Sequence, residues 1–173
     1  MHLLLFQHPD YRFLTAERID EVVRAELPDS RLDESGELSA VITSCMIHGP
    51  CGPLAPTSPC MQSSGTGTKT CSKRYPKQFQ LETRVQEDGY AVYRQRDDGR
   101  SISLALRGPS NTSPIPLDNR WIVPYNPYLS WRYKVHINVE VCASIQSIKY
   151  IHKYIYKGSD KTTAQTGNEG DEV

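Results

Sequence analysis

Two tyrosines and two lysines near the end of the sequence carry its sharpest chemical pattern: Tyr150-Ile-His-Lys153-Tyr154-Ile-Tyr-Lys157, two overlapping Tyr-x-x-Lys units. On a helix of about 3.6 residues per turn, Tyr150 and Tyr154 stand one above the other, with Lys153 and Lys157 three residues beyond each. A phenol titrates near ~10, so attack on a phosphodiester needs a lowered pKa, a cation on the phosphate, or both. The lysines or a metal ion could supply that help. The same spacing also fits a tyrosine-rich amphipathic helix that packs its rings on a sheet, and the motif alone does not separate the two.

A second group is His48, Cys51, Cys60 and Cys71, separated by two, eight and ten residues. Imidazole and thiolates suit tetrahedral zinc, which would order the surrounding loop. No tight Cys-x-x-Cys knuckle is present, so free thiols are the alternative. Cys45 and Cys142 fall on apolar faces and read as core. His136 and Glu140 share the polar face of an alternating stretch, as further metal ligands or as plain polar surface. Lys73, Arg74, Lys77, Arg94, Arg96 and Arg100 are candidate phosphate contacts, with tyrosines available to stack on single-stranded bases; a solvated, charged edge is the alternative. No Gly-x-x-x-x-Gly-Lys-Ser/Thr stretch occurs, which excludes ATP-driven unwinding by this chain.

The elements that must position these groups are legible in outline. A chain of 173 residues has the usual size of one domain. Twelve prolines, eleven glycines and ten tyrosines point to a turn-rich mixed fold rather than a helical bundle. His2 to Phe6 has the length of a buried strand. From Thr15, a good N-cap, apolar residues recur at helical spacing through Ile19, Val22, Val23 and Leu27 to the stop at Pro28. A second helix runs from Leu38 to the Gly49-Pro50 break, and residues 49–77 read as a loop holding three cysteines. The turn dipeptides Asp88-Gly89 and Asp98-Gly99 predict a three-stranded meander. The prolines of Trp121 to Tyr128 argue against a central strand. Val135, Ile137, Val139 and Val141 alternate with polar residues as in a strand, and Ile145, Ile148, Ile151 and Ile155 return to helical spacing before an acidic tail, 159–173.

Charge is distributed unevenly although it sums to zero. Residues 1–37 carry nine acids against four Lys/Arg, residues 38–157 seven against fifteen, and residues 158–173 four against one. A basic centre suits a polyanionic partner such as nucleic acid. No apolar run approaches the roughly 20 residues of a membrane helix, and the opening apolar residues follow no basic leader. The five cysteines are an odd number, as expected of thiols or metal ligands in a reducing compartment. The expectation is a soluble intracellular protein without a signal peptide.

Several segments in order, His2-Leu-Leu-Leu-Phe6, His48-Gly-Pro-Cys51-Gly, Pro59-Cys60-Met61, Cys71-Ser-Lys-Arg-Tyr-Pro-Lys77, Asp88-Gly-Tyr through Asp98-Gly-Arg100, Val123-Pro-Tyr-Asn-Pro-Tyr128, His136-Ile-Asn-Val-Glu-Val-Cys142 and the Tyr150 block, together resemble the helicase-like N-terminal region of Helitron rolling-circle transposases. The resemblance spans nearly the whole chain and is most specific at its last block, through Lys157-Gly158. It implies a rolling-circle initiator nuclease of the His-hydrophobic-His (HUH) type. In such an enzyme paired histidines on a strand bind Mg or Mn, and a tyrosine attacks single-stranded DNA. By that match Tyr150 and Tyr154 would be the nucleophiles, each forming a 5′-phosphotyrosine link and releasing a 3′-hydroxyl. A helicase domain would share the full-length chain, and a eukaryotic host would place the protein in the nucleus.

His2 matches the second histidine of the pair and Met1 the residue between, which leaves no counterpart for the first; His8 lies beyond the strand and does not replace it. Metal binding and catalysis should fall accordingly. The expected architecture is α+β, an antiparallel sheet of about five strands with the tyrosine helix beside the strand that bears His2, over a truncated domain 1–158. The expected function is that of a single-strand DNA nuclease and strand transferase, represented by an inactive fragment. The alternatives are a non-catalytic single-stranded DNA-binding remnant, or a fragment without function.

Overall fold

The computed structural model describes residues 15–31, 33–63, 67–87, 89–104 and 114–142, with Leu3, Leu5, residues 7–11 and Phe13. His2, Tyr150, Lys153, Tyr154, Lys157 and the tail 159–173 lie outside the described residues. Those described form a mixed α and β structure: helices α1 (Ala16–Val22), α2 (Glu37–Cys45) and α3 (Pro127–Tyr133), and strands β1 (Met61–Ser63), β2 (Lys69–Cys71), β3 (Arg84–Val85), β4 (Ala91–Val92), β5 (Ser101–Leu104) and β6 (Ile115–Asp118). None of these helices is long and apolar enough to cross a membrane.

The five-stranded sheet does not form among these residues. The strands pair instead as three separate antiparallel ribbons, β1 with β2, β3 with β4, and β5 with β6. The expected meander breaks after β4 because its backbone donors find other partners. Thr83 Oγ1 accepts from the N–H of Arg94 (2.9 Å), and the Glu26 carboxylate accepts from that of Arg96 (2.9 Å). With those donors satisfied, no ladder to β5 follows. The chain turns at Gly99, whose φ of 76° lies in the left-handed region that glycine tolerates, and β5 pairs with β6.

A tertiary partner also shortens α1. Thr15 caps it as expected, but Val23 is already extended. Arg24 and Tyr125 exchange two backbone hydrogen bonds of 2.8 Å, which draws residues 23–27 out of the helix and against the chain at 117–125. Asp33 caps α2 from upstream by accepting the N–H groups of Leu38 and Ser39, at 3.2 and 2.7 Å. The prolines near 124–127, read as strand breakers, start α3: Asn126 Oδ1 accepts from Leu129 N–H (2.9 Å) and Pro127 occupies the first turn.

The strand expected at 135–141 does not form, and Val135 is exposed, but residues 137–141 keep the alternation. Ile137, Val139 and Val141 are half-buried while His136, Asn138 and Glu140 are exposed. Backbone bonds from Val139 to the Pro124 carbonyl (3.0 Å) and from Val141 to the Tyr93 hydroxyl (2.7 Å) hold this stretch. The core runs through Leu117, Ile122 and Tyr125, all fully buried, with Ile42 and Met46 of the α2 segment. Asn119, also fully buried, ties three segments: it accepts from Leu27 N–H (2.8 Å), donates to the Arg96 carbonyl (2.8 Å), and its own carbonyl accepts from the Gln95 amide (2.8 Å).

Candidate metal centre

Among its described residues, the segment read as a loop, 49–77, is folded. Ser58 Oγ donates to the Pro50 carbonyl (2.7 Å), Gly52 N–H meets the Met61 sulfur (3.1 Å), and β1 pairs with β2 in the register Met61 to Cys71. Two backbone bonds fasten its ends to the buried turn at 119–121: His48 N–H to the Trp121 carbonyl (2.8 Å) and Lys77 N–H to the Arg120 carbonyl (3.0 Å).

This arrangement brings together His48 from just beyond α2, Cys51 from the turn that follows, Cys60 from just before β1, and Cys71 from the end of β2. Their ligand atoms all lie within 4.8 Å of one another. His48 Nε2 and Cys71 Sγ are 3.4 Å apart. Tetrahedral zinc, with Zn–S of about 2.3 Å and Zn–N of about 2.0 Å, requires ligand separations of roughly 3.3 to 3.8 Å, so small rotations close the shell. A set of three sulfurs and one imidazole fills four positions and leaves no open one, which is the pattern of a structural rather than a catalytic centre.

The local electrostatics agree with a cation in that space. After Cys71 the chain makes a tight turn, closed by Arg74 N–H to the Cys71 carbonyl (2.9 Å), with Arg74 left-handed at φ 59°. Burial alone would push the Cys71 thiol up, but backbone N–H groups of Tyr75 and Lys73 hydrogen-bond its sulfur and hold it below the usual thiol range. Such N–H···S bonds favour the thiolate, the form that ligates metals. Cys51, only 1% exposed beside Leu117 and Trp121, is pushed up to about 12 by burial and by its two neighbouring sulfurs. Burial also raises Cys60. Three thiols this close resist ionising together, and a divalent cation removes that resistance. His48 stacks on Tyr75 at 4.1 Å and 12°, and burial, with Lys77 and Lys73 nearby, lowers its pKa and keeps the ring neutral, as a ligand must be.

The other candidate residues are placed differently. His136 is exposed and its Nδ1 lies 2.8 Å from the Cys45 carbonyl, while Glu140 accepts from Asn138 (2.9 Å). Neither joins a metal-capable cluster among the described residues. Cys142, expected in the core, is exposed, with its backbone bridged to Tyr90; Cys45 is half-buried against the core.

Lys73 and Arg74 are exposed on the turn that follows Cys71. Lys77 donates to the Lys73 carbonyl (2.7 Å) and lies 4.7 Å over the Tyr75 ring. Three other candidate phosphate ligands are committed to carboxylates: Arg94 to Asp20 (3.0 Å), Arg96 to Glu26 (2.7 Å) and Arg100 to Asp98 (2.5 Å). Sequence reasoning missed Glu26 and Asn119, whose partners lie 70 and 92 residues away. No protein-family model matches the chain, and no curated protein matches it.

Proposed function

We propose that the chain is part of a Helitron-type rolling-circle transposase, that it binds single-stranded DNA, and that a structural zinc ion at His48, Cys51, Cys60 and Cys71 orders the DNA-facing turn. The observation that carries the zinc part of this reading is the convergence of four donors from 24 residues of chain to within 4.8 Å, while the transposase and DNA-binding parts rest on the ordered sequence blocks from His2 to Lys157. When bound, zinc supplies a four-way cross-link. The chain's own residues do the rest: Cys71 fixes the start of the turn, and Lys73 and Arg74, two and three residues on, are left exposed to meet phosphate oxygens. The exposed Tyr128 and Tyr133 offer faces for bases.

Within this reading Tyr150 and Tyr154, assisted by Lys153 and Lys157, are the nucleophiles of the intact family enzyme, with Mg or Mn at a separate site to which His2, His136 and Glu140 would contribute. The ring nitrogen Nδ1 of His136 meets the Cys45 carbonyl and leaves Nε2 free for such a metal, although neither His136 nor Glu140 belongs to a metal-capable cluster among the described residues. The test is elemental analysis of the purified chain, followed by anisotropy titration of labelled single-stranded oligonucleotide over a range of salt. One zinc per chain and a salt-dependent single-strand affinity are expected. No zinc, or equal affinity for uncharged oligomers, overturns the reading. A covalent DNA adduct formed with Mn, and lost in Tyr150→Phe and Tyr154→Phe, would make the chain an active nuclease instead.

A further inference from the structure

The four ligands are not equally reachable. Cys51 is 1% exposed, packed with Leu117 and Trp121, and its sulfur donates to the Tyr75 carbonyl at 3.8 Å. Cys60 and Cys71 are half-buried and flank the β1–β2 ribbon, where Ser72 N–H donates to the Cys60 carbonyl at 2.8 Å. Their sulfurs lie within 4.8 Å of each other. A disulfide needs about 2.05 Å, and side-chain rotation at Cys60, just before β1, and at Cys71, the last residue of β2, can supply the difference.

We propose that Cys60 and Cys71 form a reversible redox pair at the outer edge of the metal centre, oxidised by small cellular disulfides, and that their oxidation expels the metal. This rests on the zinc reading above. A small disulfide RSSR takes the two electrons. The Cys60 and Cys71 thiolates leave the metal and form one S–S bond, the S–S bond of RSSR breaks, and two RS− are released with Zn2+. His48 and Cys51 remain, and two ligands do not retain a structural zinc. Thiol–disulfide exchange requires access for the incoming disulfide, so it starts at this outer pair and not at Cys51. Once the metal is gone, the turn bearing Lys73 and Arg74 stays tied to Cys60 and to Arg120 but loses its link to His48 and Cys51.

The full chain in a Cys45→Ser/Cys142→Ser background, which leaves only the three ligand cysteines, is loaded with zinc and assayed for zinc content before any oxidant is added. Oxidised glutathione is then titrated in. A chromogenic chelator reads released zinc, and peptide mapping of the alkylated protein reads the cross-link. The expected result is loss of one zinc per chain in step with a Cys60–Cys71 link, both reversed by reductant plus zinc. A second arm oxidises chelator-treated protein, where the same link is expected. Zinc retained while the thiols of a denatured control are fully oxidised, a link through Cys51, or glutathione adducts without a link overturns the proposal. Absence of zinc before oxidation instead defeats the zinc reading, and the chelator arm still scores the pairing.

Discussion

Stripping the metal should unfold the region from His48 to Lys77 and lower the stability of the whole chain by an amount the structure sets. A bound zinc closes three loops, a short one from His48 to Cys51 and two longer ones, Cys51 to Cys60 and Cys60 to Cys71, with eight and ten residues between the ligands; the two longer ones dominate. In the chain-entropy treatment of cross-links, loops of about ten residues are worth roughly 2.5 to 3 kcal/mol each, or about 5 kcal/mol together. Mass action gives a similar figure, about 4 kcal/mol when free zinc stands ~1,000-fold above its Kd. For a chain of this size ~1 kcal/mol moves Tm by about 2–4 °C, so chelation should lower Tm by about 8–20 °C. Trp121 is 5% exposed and packs beside Cys51, which makes its fluorescence a local reporter. The assay is thermal unfolding followed by tryptophan emission and circular dichroism, with and without chelator, in the presence of reductant. Cys51→Ser should mimic the chelator, while Cys142→Ser should behave as the parent. A chelator shift below about 2 °C with unchanged Trp121 emission would refute the reasoning.

Four other perturbations separate scaffold from surface. Burial alone would raise the Glu26 pKa, but hydrogen bonds from Arg96 and the charges of Arg94 and Arg96 bring it below the ordinary 4.5. A depressed carboxylate stabilises the fold above its unfolded pKa and ceases to do so as pH falls through the folded value. Glu26→Gln should therefore cost about 2–4 kcal/mol in urea unfolding at neutral pH, less than a fully buried pair because both arginines are partly exposed, and the gap to the parent should close in acid. Asn119→Ala leaves the buried Leu27 N–H and Arg96 carbonyl without partners and should cost about 2–6 kcal/mol, read from the urea midpoint at constant m. Lys73→Ala with Arg74→Ala should reduce the salt slope of single-strand binding by about 0.7 for each phosphate no longer neutralised, whereas Arg96→Ala should lower stability and leave that slope unchanged.

What the sequence discloses here depends on how far a group must reach for its partner. Thr15 as an N-cap acts within three residues, so it is legible and is found; the alternation at Ile137, Val139 and Val141 survives as burial, but the strand it predicted, with Val135 on the same face, does not form. Asn126 before Pro127 is equally local, and α3 was readable from that pair, had the prolines been weighed as helix starters and not only as strand breakers. The meander failed for a different reason. Its turn signals are real, yet strand pairing is decided by which acceptor reaches each N–H first, and Glu26 reaches Arg96 from 70 residues upstream. The metal centre lies between these cases. Its donor types are visible, but a spacing of eight and ten residues fixes no geometry, unlike a knuckle whose two cysteines must share one turn. Only the β1–β2 register and the anchors of His48 and Lys77 on the turn at 119–121 turn four soft donors into neighbours. A substitution that frees either anchor should therefore weaken zinc binding without touching a ligand, since zinc affinity includes whatever free energy the chain must spend to assemble the shell.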